Sequence, residues 1–317
     1  MPENLENPLL ELSKPDGFPA MNDAVYANLP TKYGVQLGVK LFHDQRLSGN
    51  NSISCASCHQ QEYAFTDQEA QAIGIYNRVG LRNTPPIQNM AFMEFYNWDG
   101  NILALENQPL VPIITHEEMN SSILEVMDKL KDDESYKKLL TYTFGDPKLQ
   151  ADRIYKSLAQ YAYSLISANS KYDSVMRFDH VQFTKQEADG WAIFKIKCAS
   201  CHSGALFTDQ SFRNIGFPIN SHSSEAGRAR VTGNPTDMYS FRVPSLRNIA
   251  FTAPYGSFGQ FANLKELLDY LDSGVLSSSN LDPILKNNNN RIPMNEQEKE
   301  DIIAFLNSLS DPSFIKR

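Results

Sequence analysis

Apolar residues recur every three or four positions in several stretches of this chain, and those stretches open on residues that cap helices. Ile154, Leu158, Tyr161 and Leu165 fall at spacings of four, three and four, the stripe of one amphipathic helix closing the first half. Thr184 followed by Glu187 forms a capping box for a helix that carries Trp191 and Phe194. Asn263 and Glu266 open another helix, with Leu264, Leu267, Leu268 and Leu271 on one face and Gly274 as its stop. Asn295 and Glu298 open the last, whose core face is Ile302, Phe305, Leu306 and Leu309. No long alternating pattern competes, and Asn287 to Asn290 is a polar loop. Residues 1 to 30 hold Pro2, Pro8, Pro15, Pro19 and Pro30 with little periodicity, an extended lead-in. The fold class this pattern predicts is mostly α.

Composition narrows the picture. The chain has 317 residues, room for two domains of ordinary size, each able to bury a core. Its formal net charge of -8 and lack of a basic cluster argue against a nucleic-acid partner. No apolar run approaches the roughly 18 residues of a membrane span.

The chemistry lies in one repeated word. Cys55-Ala56-Ser57-Cys58-His59 returns letter for letter as Cys198-Ala199-Ser200-Cys201-His202. Cys-x-x-Cys-His is the attachment sequence of a c-type haem: two thiols form thioethers with the porphyrin, and the adjacent imidazole reaches the iron. Two copies predict two c-type haems. A zinc site built from both Cys pairs would span about 140 residues, far from ribbon spacings, and needs no His after each pair. A thioredoxin-like dithiol needs no such His either. All four cysteines sit in the two motifs, leaving none for disulfides. Covalent haem attachment in bacteria is extracytoplasmic, so a periplasmic or otherwise extracytoplasmic protein is expected. The first twenty residues lack the basic start and apolar stretch of a signal peptide. The sequence therefore reads as a mature form whose targeting segment has been replaced by a start Met.

The flanks repeat as well. Gly38-Val39-Lys40-Leu41-Phe42 precedes the first motif and Phe65-Thr66-Asp67 follows it; Gly190-Trp191-Ala192-Ile193-Phe194 and Phe207-Thr208-Asp209 bracket the second. This predicts two cytochrome c-like domains, residues 1-168 and 169-317, each binding one covalent haem.

With these blocks the chain resembles the bacterial dihaem cytochrome c peroxidase family, which includes MauG-like enzymes. The likeness rests also on Arg46-Leu47-Ser48-Gly49, Arg82-Asn83-Thr84-Pro85, Trp98-Asp99-Gly100, Pro244-Ser245-Leu246-Arg247-Asn248 and Thr252-Ala253-Pro254-Tyr255, in family order over nearly the whole chain. The resemblance implies a peroxide-reacting N-terminal haem on His59 and an electron-receiving C-terminal haem on His202. It implies Glu118 as the acid/base and Gln108 as the residue orienting the peroxide. It places Trp98 between the haems, and gives Asn83, Thr252 and Pro254 to a calcium site with oxygen ligands. Without the resemblance Glu118 reads as half of a solvated Glu117-Glu118 pair, and Trp98 as core packing.

Two departures from the family pattern matter. Where peroxidases that need prior reduction carry a His in Gly-His-x-x-x-x-Gly, this chain has Gly74-Ile75-Tyr76-Asn77-Arg78-Val79-Gly80. Ile75 cannot ligate iron, so the N-terminal haem is expected to be open in the oxidised protein. Leu271 stands where the C-terminal haem's sixth ligand, Met or Tyr, belongs; Tyr270, Met238 and Met294 are the alternatives. His43, His116, His180 and His222 read as surface or hydrogen-bonded positions, with His116 nearest to the distal residues.

The leading expectation is a peroxidase reducing hydrogen peroxide to water with electrons from a small cytochrome c or copper protein. A MauG-like enzyme oxidising residues of a partner protein is the second, favoured by Ile75. A dihaem electron carrier is the third, disfavoured because transfer alone needs neither Gln108 nor Glu118. Dimers are common in the family, so a homodimer is among the assemblies expected.

Overall fold

The computed structural model describes residues 6–220 and 225–316, so Pro2 and His222 lie outside the described residues. The helices are α1 Asp23–Ala27, α2 Lys32–Phe42, α3 Cys55–Cys58, α4 Leu110–Ile114, α5 Ile123–Leu130, α6 Glu134–Phe144 and α7 Ala151–Tyr163. They continue as α8 Lys171–Met176, α9 Lys185–Lys197, α10 Ala229–Thr232, α11 Leu264–Ser273, α12 Pro283–Lys286, α13 Glu296–Asn307 and α14 Pro312–Ile315. Two short antiparallel strands, β1 Phe212–Arg213 and β2 Phe241–Arg242, are the sheet among the described residues. The fold is mostly α.

The predicted caps form. Thr184 with Glu187 and Asn295 with Glu298 make complete capping boxes, and Asn263 accepts from the Glu266 amide. Gly274 ends α11 at φ 120°, a conformation open to glycine. Leu165 and Leu309, read as helix-stripe residues, instead lie just beyond the ends of α7 and α13, both buried. Each is there because an asparagine elsewhere takes its carbonyl: the Asn89 amide donates to Leu165 O at 2.8 Å and the Asn248 amide to Leu309 O at 3.1 Å.

Those two asparagines belong to a second internal repeat. Asn89-Met90-Ala91-Phe92 and Asn248-Ile249-Ala250-Phe251 both start in left-handed backbone, φ 60° and 58°. Four residues on, Tyr96 donates its hydroxyl to Met90 O and Tyr255 donates to Ile249 O, at 3.1 and 2.9 Å. Four further, Gly100 and Gly259 share a φ of 63°. The two copies meet: Gln88 Nε2 donates to Arg247 O at 2.5 Å, and Asn248 Nδ2 donates to Gln88 Oε1.

One core gathers α2, α5, α6 and α7, with Leu37, Leu41, Phe42, Val126, Leu140, Ile154 and Leu158 among its buried residues. A second gathers α9, α11 and α13 through Phe194, Leu264, Leu268, Ile302, Phe305 and Leu306. A third joins Phe18 and Val25 to Ala91, Phe92, Tyr163 and Leu206, so the proline-rich lead-in is packed against both halves and is not merely extended. Phe314 of α14 returns to the first core, its ring 5.4 Å from that of Phe65.

The repeated glycine before each Cys motif has a steric reason. A Cβ on Gly38 would lie 2.1 Å from Ser157 O of α7, and one on Gly190 would lie 1.9 Å from Asp301 O of α13. Each helix leading into a motif therefore crosses its partner at backbone contact. Gly190→Ala should force α9 and α13 apart at a cost of about 1–3 kcal/mol. A lower denaturant midpoint with unchanged slope checks this, and an unaltered midpoint contradicts it.

Candidate active site

The two Cys motifs share one backbone bond, the His59 amide donating to Cys55 O at 2.8 Å and the His202 amide to Cys198 O at 3.0 Å, but Cys55 opens α3 whereas Cys198 caps the end of α9. Cys55 and Cys58 occupy the single turn of α3, opened by a capping box between Ser54 and Ser57, and all four cysteines carry free thiols. His59 Nδ1 lies 2.9 Å from Phe65 O, and His202 Nδ1 lies 3.1 Å from Phe207 O. A carbonyl only accepts, so Nδ1 carries the proton in both rings and Nε2 keeps its lone pair for a metal. Burial holds both imidazoles below the ordinary histidine range, which keeps them in the neutral, ligating form.

The accepting carbonyls are aimed by unusual backbone. Phe65 and Phe207 have φ of 64° and 53°, left-handed values that cost a bulky residue about 1–3 kcal/mol. Phe42 and Phe194, each preceding its motif, pack edge-on against Phe65 and Phe207, at 6.3 and 5.9 Å between centroids. The repeated Phe-Thr-Asp word is thus the imidazole's acceptor, a role that its sequence alone did not reveal. Burial pushes the Cys55, Cys58 and Cys198 thiols up to about 12 and raises that of Cys201. Among the described residues no group of three or more His, Cys, Asp or Glu is placed to hold a metal ion, so the thiols do not converge on one ion. Two thiols three residues apart in one turn, beside an imidazole with free Nε2, fit a haem held by two thioethers.

The surroundings of the two motifs differ in charge. Glu118 is half-buried while Glu117 is exposed. Burial, helped by the charge of Glu117, raises the Glu118 carboxyl above its ordinary 4.5. Glu118 in turn acts electrostatically on both Cys55 and Cys58. Around Cys198 and Cys201 the charges are those of Lys197, Asp209, Arg213 and Asp282. Gln108 and Glu118 flank α4, and Gln108 Nε2 donates to Asn97 Oδ1 at 3.4 Å. The Gly74–Gly80 segment lies directly on Glu118: Ile75, 1% exposed, donates its amide to Glu118 O at 2.9 Å. A Cβ on Gly74 would lie 2.0 Å from Glu117 O.

Trp98 bridges the halves. Its Nε1 donates to Asn83 O at 2.9 Å, its ring stands perpendicular to Phe241 at 6.5 Å, and its carbonyl accepts from the Arg242 amide. Beside it Arg82 pairs with Asp99 at 2.9 Å and with buried Glu225 at 2.7 Å, ion pairs that the sequence reading missed because Glu225 follows no motif. Gly100 leaves space for Phe212, whose ring a Cβ would strike at 2.3 Å.

Asn83 donates its Nδ2 to Glu69 O and its amide to Ser257 O, three residues past Pro254; Thr252 donates to Ile249 O at 3.3 Å. The three sixth-ligand candidates stand differently. Tyr270 donates its hydroxyl to Gly216 O at 2.7 Å and packs on Phe217 and Phe261. Met294 is 7% exposed inside the second core, its amide on Asp272 Oδ1, and the Leu271 carbonyl accepts from Ile292, two residues earlier. Met238 is half-buried on a surface turn. His43, His116 and His180 are exposed.

Comparison with known proteins agrees with this arrangement. Residues 32–181 match a family model described as di-haem cytochrome c peroxidase. The chain is 31% identical to the methylamine utilization protein MauG of Methylophilus methylotrophus, over 95% of its own length and 88% of the relative's. It is 31% identical to cytochrome c551 peroxidase of Nitrosomonas europaea, over 87% and 79%. A crystal structure of a MauG-like protein associated with microbial copper homeostasis superposes with a TM-score of 0.86 at 30% identity, covering 96% of this chain and 97% of that one. With paired Cys-x-x-Cys-His sites and these relatives, the chain belongs to the dihaem cytochrome c peroxidase family that includes MauG.

Proposed function

We propose that the protein is a dihaem c-type peroxidase that reduces hydrogen peroxide to water with electrons from a small cytochrome c or copper protein. The observation that carries this is an asymmetry between the sites, taken among the described residues: half-buried Glu118, which no ion pair neutralises, acts on both thiols of the first motif, whereas the carboxylates acting on the second, Asp209 and Asp282, are both paired with Arg213. Residues 1-168 form the peroxide half, with haem on Cys55, Cys58 and His59; residues 169-317 form the electron-receiving half on Cys198, Cys201 and His202. The two bound haems supply an open iron for peroxide and the electrons that reduce it.

The protein's own task is the proton. Cleaving peroxide requires moving a proton from the inner to the outer oxygen. Glu118, held half-buried by α4 and by the Ile75 amide on its own carbonyl, is suited to take and return it. Gln108, tied by its nitrogen to Asn97, offers Oε1 to orient the peroxide. Trp98 gives the electron an aromatic step between the halves. Of the three candidates, Met294 would offer the second haem a buried thioether, whereas the Tyr270 hydroxyl is already engaged with Gly216 O. Asn83, whose amide reaches Ser257 O three residues past Pro254, would share a calcium ion with Thr252 and Pro254 through oxygen atoms. The haem chemistry makes the protein extracytoplasmic, and no helix among the described residues is long and apolar enough to cross a membrane.

A MauG-like role, oxidation of residues in a partner protein, is the second reading, supported by Ile75 and by the MauG relatives. Steady-state peroxide reduction with reduced cytochrome c separates the two. Rapid turnover supports the peroxidase; negligible turnover with a long-lived oxidised protein supports the alternative.

Glu118→Gln should slow peroxide cleavage by about 10²- to 10⁴-fold, measured by stopped-flow. An unchanged rate removes Glu118 from the role. The wild-type rate should rise with pH through the raised Glu118 pKa, because only the ionised carboxylate accepts the proton. Glu117→Gln should move that limb to lower pH. The fully oxidised protein should react with peroxide without prior reduction, and a low-spin, bis-His signal from the N-terminal haem would contradict the assignment of Ile75. Calcium removal by a chelator should lower activity reversibly, with restoration on adding calcium; full activity in the metal-free protein would contradict that site.

A further inference from the structure

Of Arg82, Arg242 and Arg247 at the junction of the halves, two are matched by a carboxylate among the described residues and one is not. Arg82 pairs with Asp99 and Glu225, and Arg247 pairs with Asp173 at 2.7 Å. Arg242, 8% exposed, forms no ion pair among the described residues. Among the described residues its side chain hydrogen-bonds two backbone carbonyls alone, Asn97 O from Nε at 3.3 Å and Val243 O from Nη1 at 3.5 Å, both long contacts for a guanidinium. Burial pulls it down to about 10, with the neighbouring Tyr96 hydroxyl as the group that offsets this. Tyr96 is itself raised by burial and stays neutral. A charge buried without a counter-ion is among the most costly arrangements in a protein interior.

The fold does not require that charge. In the repeat that aligns Asn89 with Asn248, the position of Arg242 falls to Asn83, a neutral side chain satisfied by Glu69 O. Arg242 also lies where both halves converge. Its amide holds Trp98 O, its guanidinium touches the Asn97 whose side chain receives Gln108, and the next residue's carbonyl accepts from Thr208 beside the His202 acceptor Phe207. An anion would complete the arrangement. Each porphyrin carries two carboxylates.

We propose that Arg242 is the counter-ion of a porphyrin carboxylate at the junction of the halves, a positioning residue that sets the potential of that haem. The assignment rests on the dihaem reading above. With the guanidinium close, the reduced and less positive iron is favoured, so the potential is higher than it would be without it.

The test uses the full chain with its haems attached. Haem stoichiometry is measured first: fewer than two haems in the wild type would defeat the dihaem reading and not this proposal. Given two, Arg242→Gln should lower the midpoint potential of one haem in a spectroscopic redox titration, and Arg242→Lys should restore most of it. Whether the N-terminal or the C-terminal haem shifts assigns the carboxylate to its porphyrin. Unchanged potentials in a folded, two-haem Arg242→Gln protein would overturn the proposal. If that variant fails to fold, infrared spectra of wild-type protein with 13C-labelled haem carboxylates decide. One carboxylate should stay ionised at a pH where the others are protonated, and common titration of all of them would overturn the pairing.

Discussion

The structure depends on a single contact made twice, an imidazole N–H donated to a phenylalanine carbonyl. His59 and His202 would be ordinary half-buried rings without it; with it, each is fixed in one tautomer with Nε2 available. The contact needs a carbonyl aimed backwards within six residues, which is why Phe65 and Phe207 adopt left-handed backbone. That strain is sustained by packing. Phe42 and Phe194 press on the two acceptors, and α2 and α9 reach them because Gly38 and Gly190 let those helices touch their partners' backbones. Glycine, phenylalanine, Cys motif and Phe-Thr-Asp are therefore one mechanical unit.

Two copies of that unit are joined back to back rather than strung in a line. Asn89 and Asn248 each end a helix of their own half, and through Gln88, Ser167 and Asp311 they lock to one another. The lead-in and α14 reinforce the join, since Phe18 lies under Arg247 and Phe314 packs on Phe65. Trp98 sits at the same seam with Arg82, Asp99 and Glu225 around it. A rigid seam suits electron transfer, which depends on a fixed separation between donor and acceptor.

Much of this was legible in the sequence, and the reasons are local. Thr184 with Glu187 and Asn295 with Glu298 announce their helices because capping is decided by residues three apart. The Cys motifs are read directly because covalent chemistry tolerates no change of spacing. The asparagine repeat escaped notice because it keeps only an Asn, an Ala, a Phe, a Tyr and a Gly at fixed spacings, and its purpose, left-handed backbone, appears only in three dimensions. Leu165 and Leu309 were misplaced onto helices because a buried residue two positions past a helix end keeps the helical spacing. Glu225 and the unmatched Arg242 depend on contacts more than 100 residues apart, which no local pattern encodes.

The central claim is that both motifs present the same covalent haem geometry, and peptide mapping of the purified protein by mass spectrometry tests it most directly. The account predicts one haem on the peptide containing Cys55 and Cys58 and one on the peptide containing Cys198 and Cys201. Free thiols or a disulfide on either peptide, in protein matured by a competent host, would contradict it.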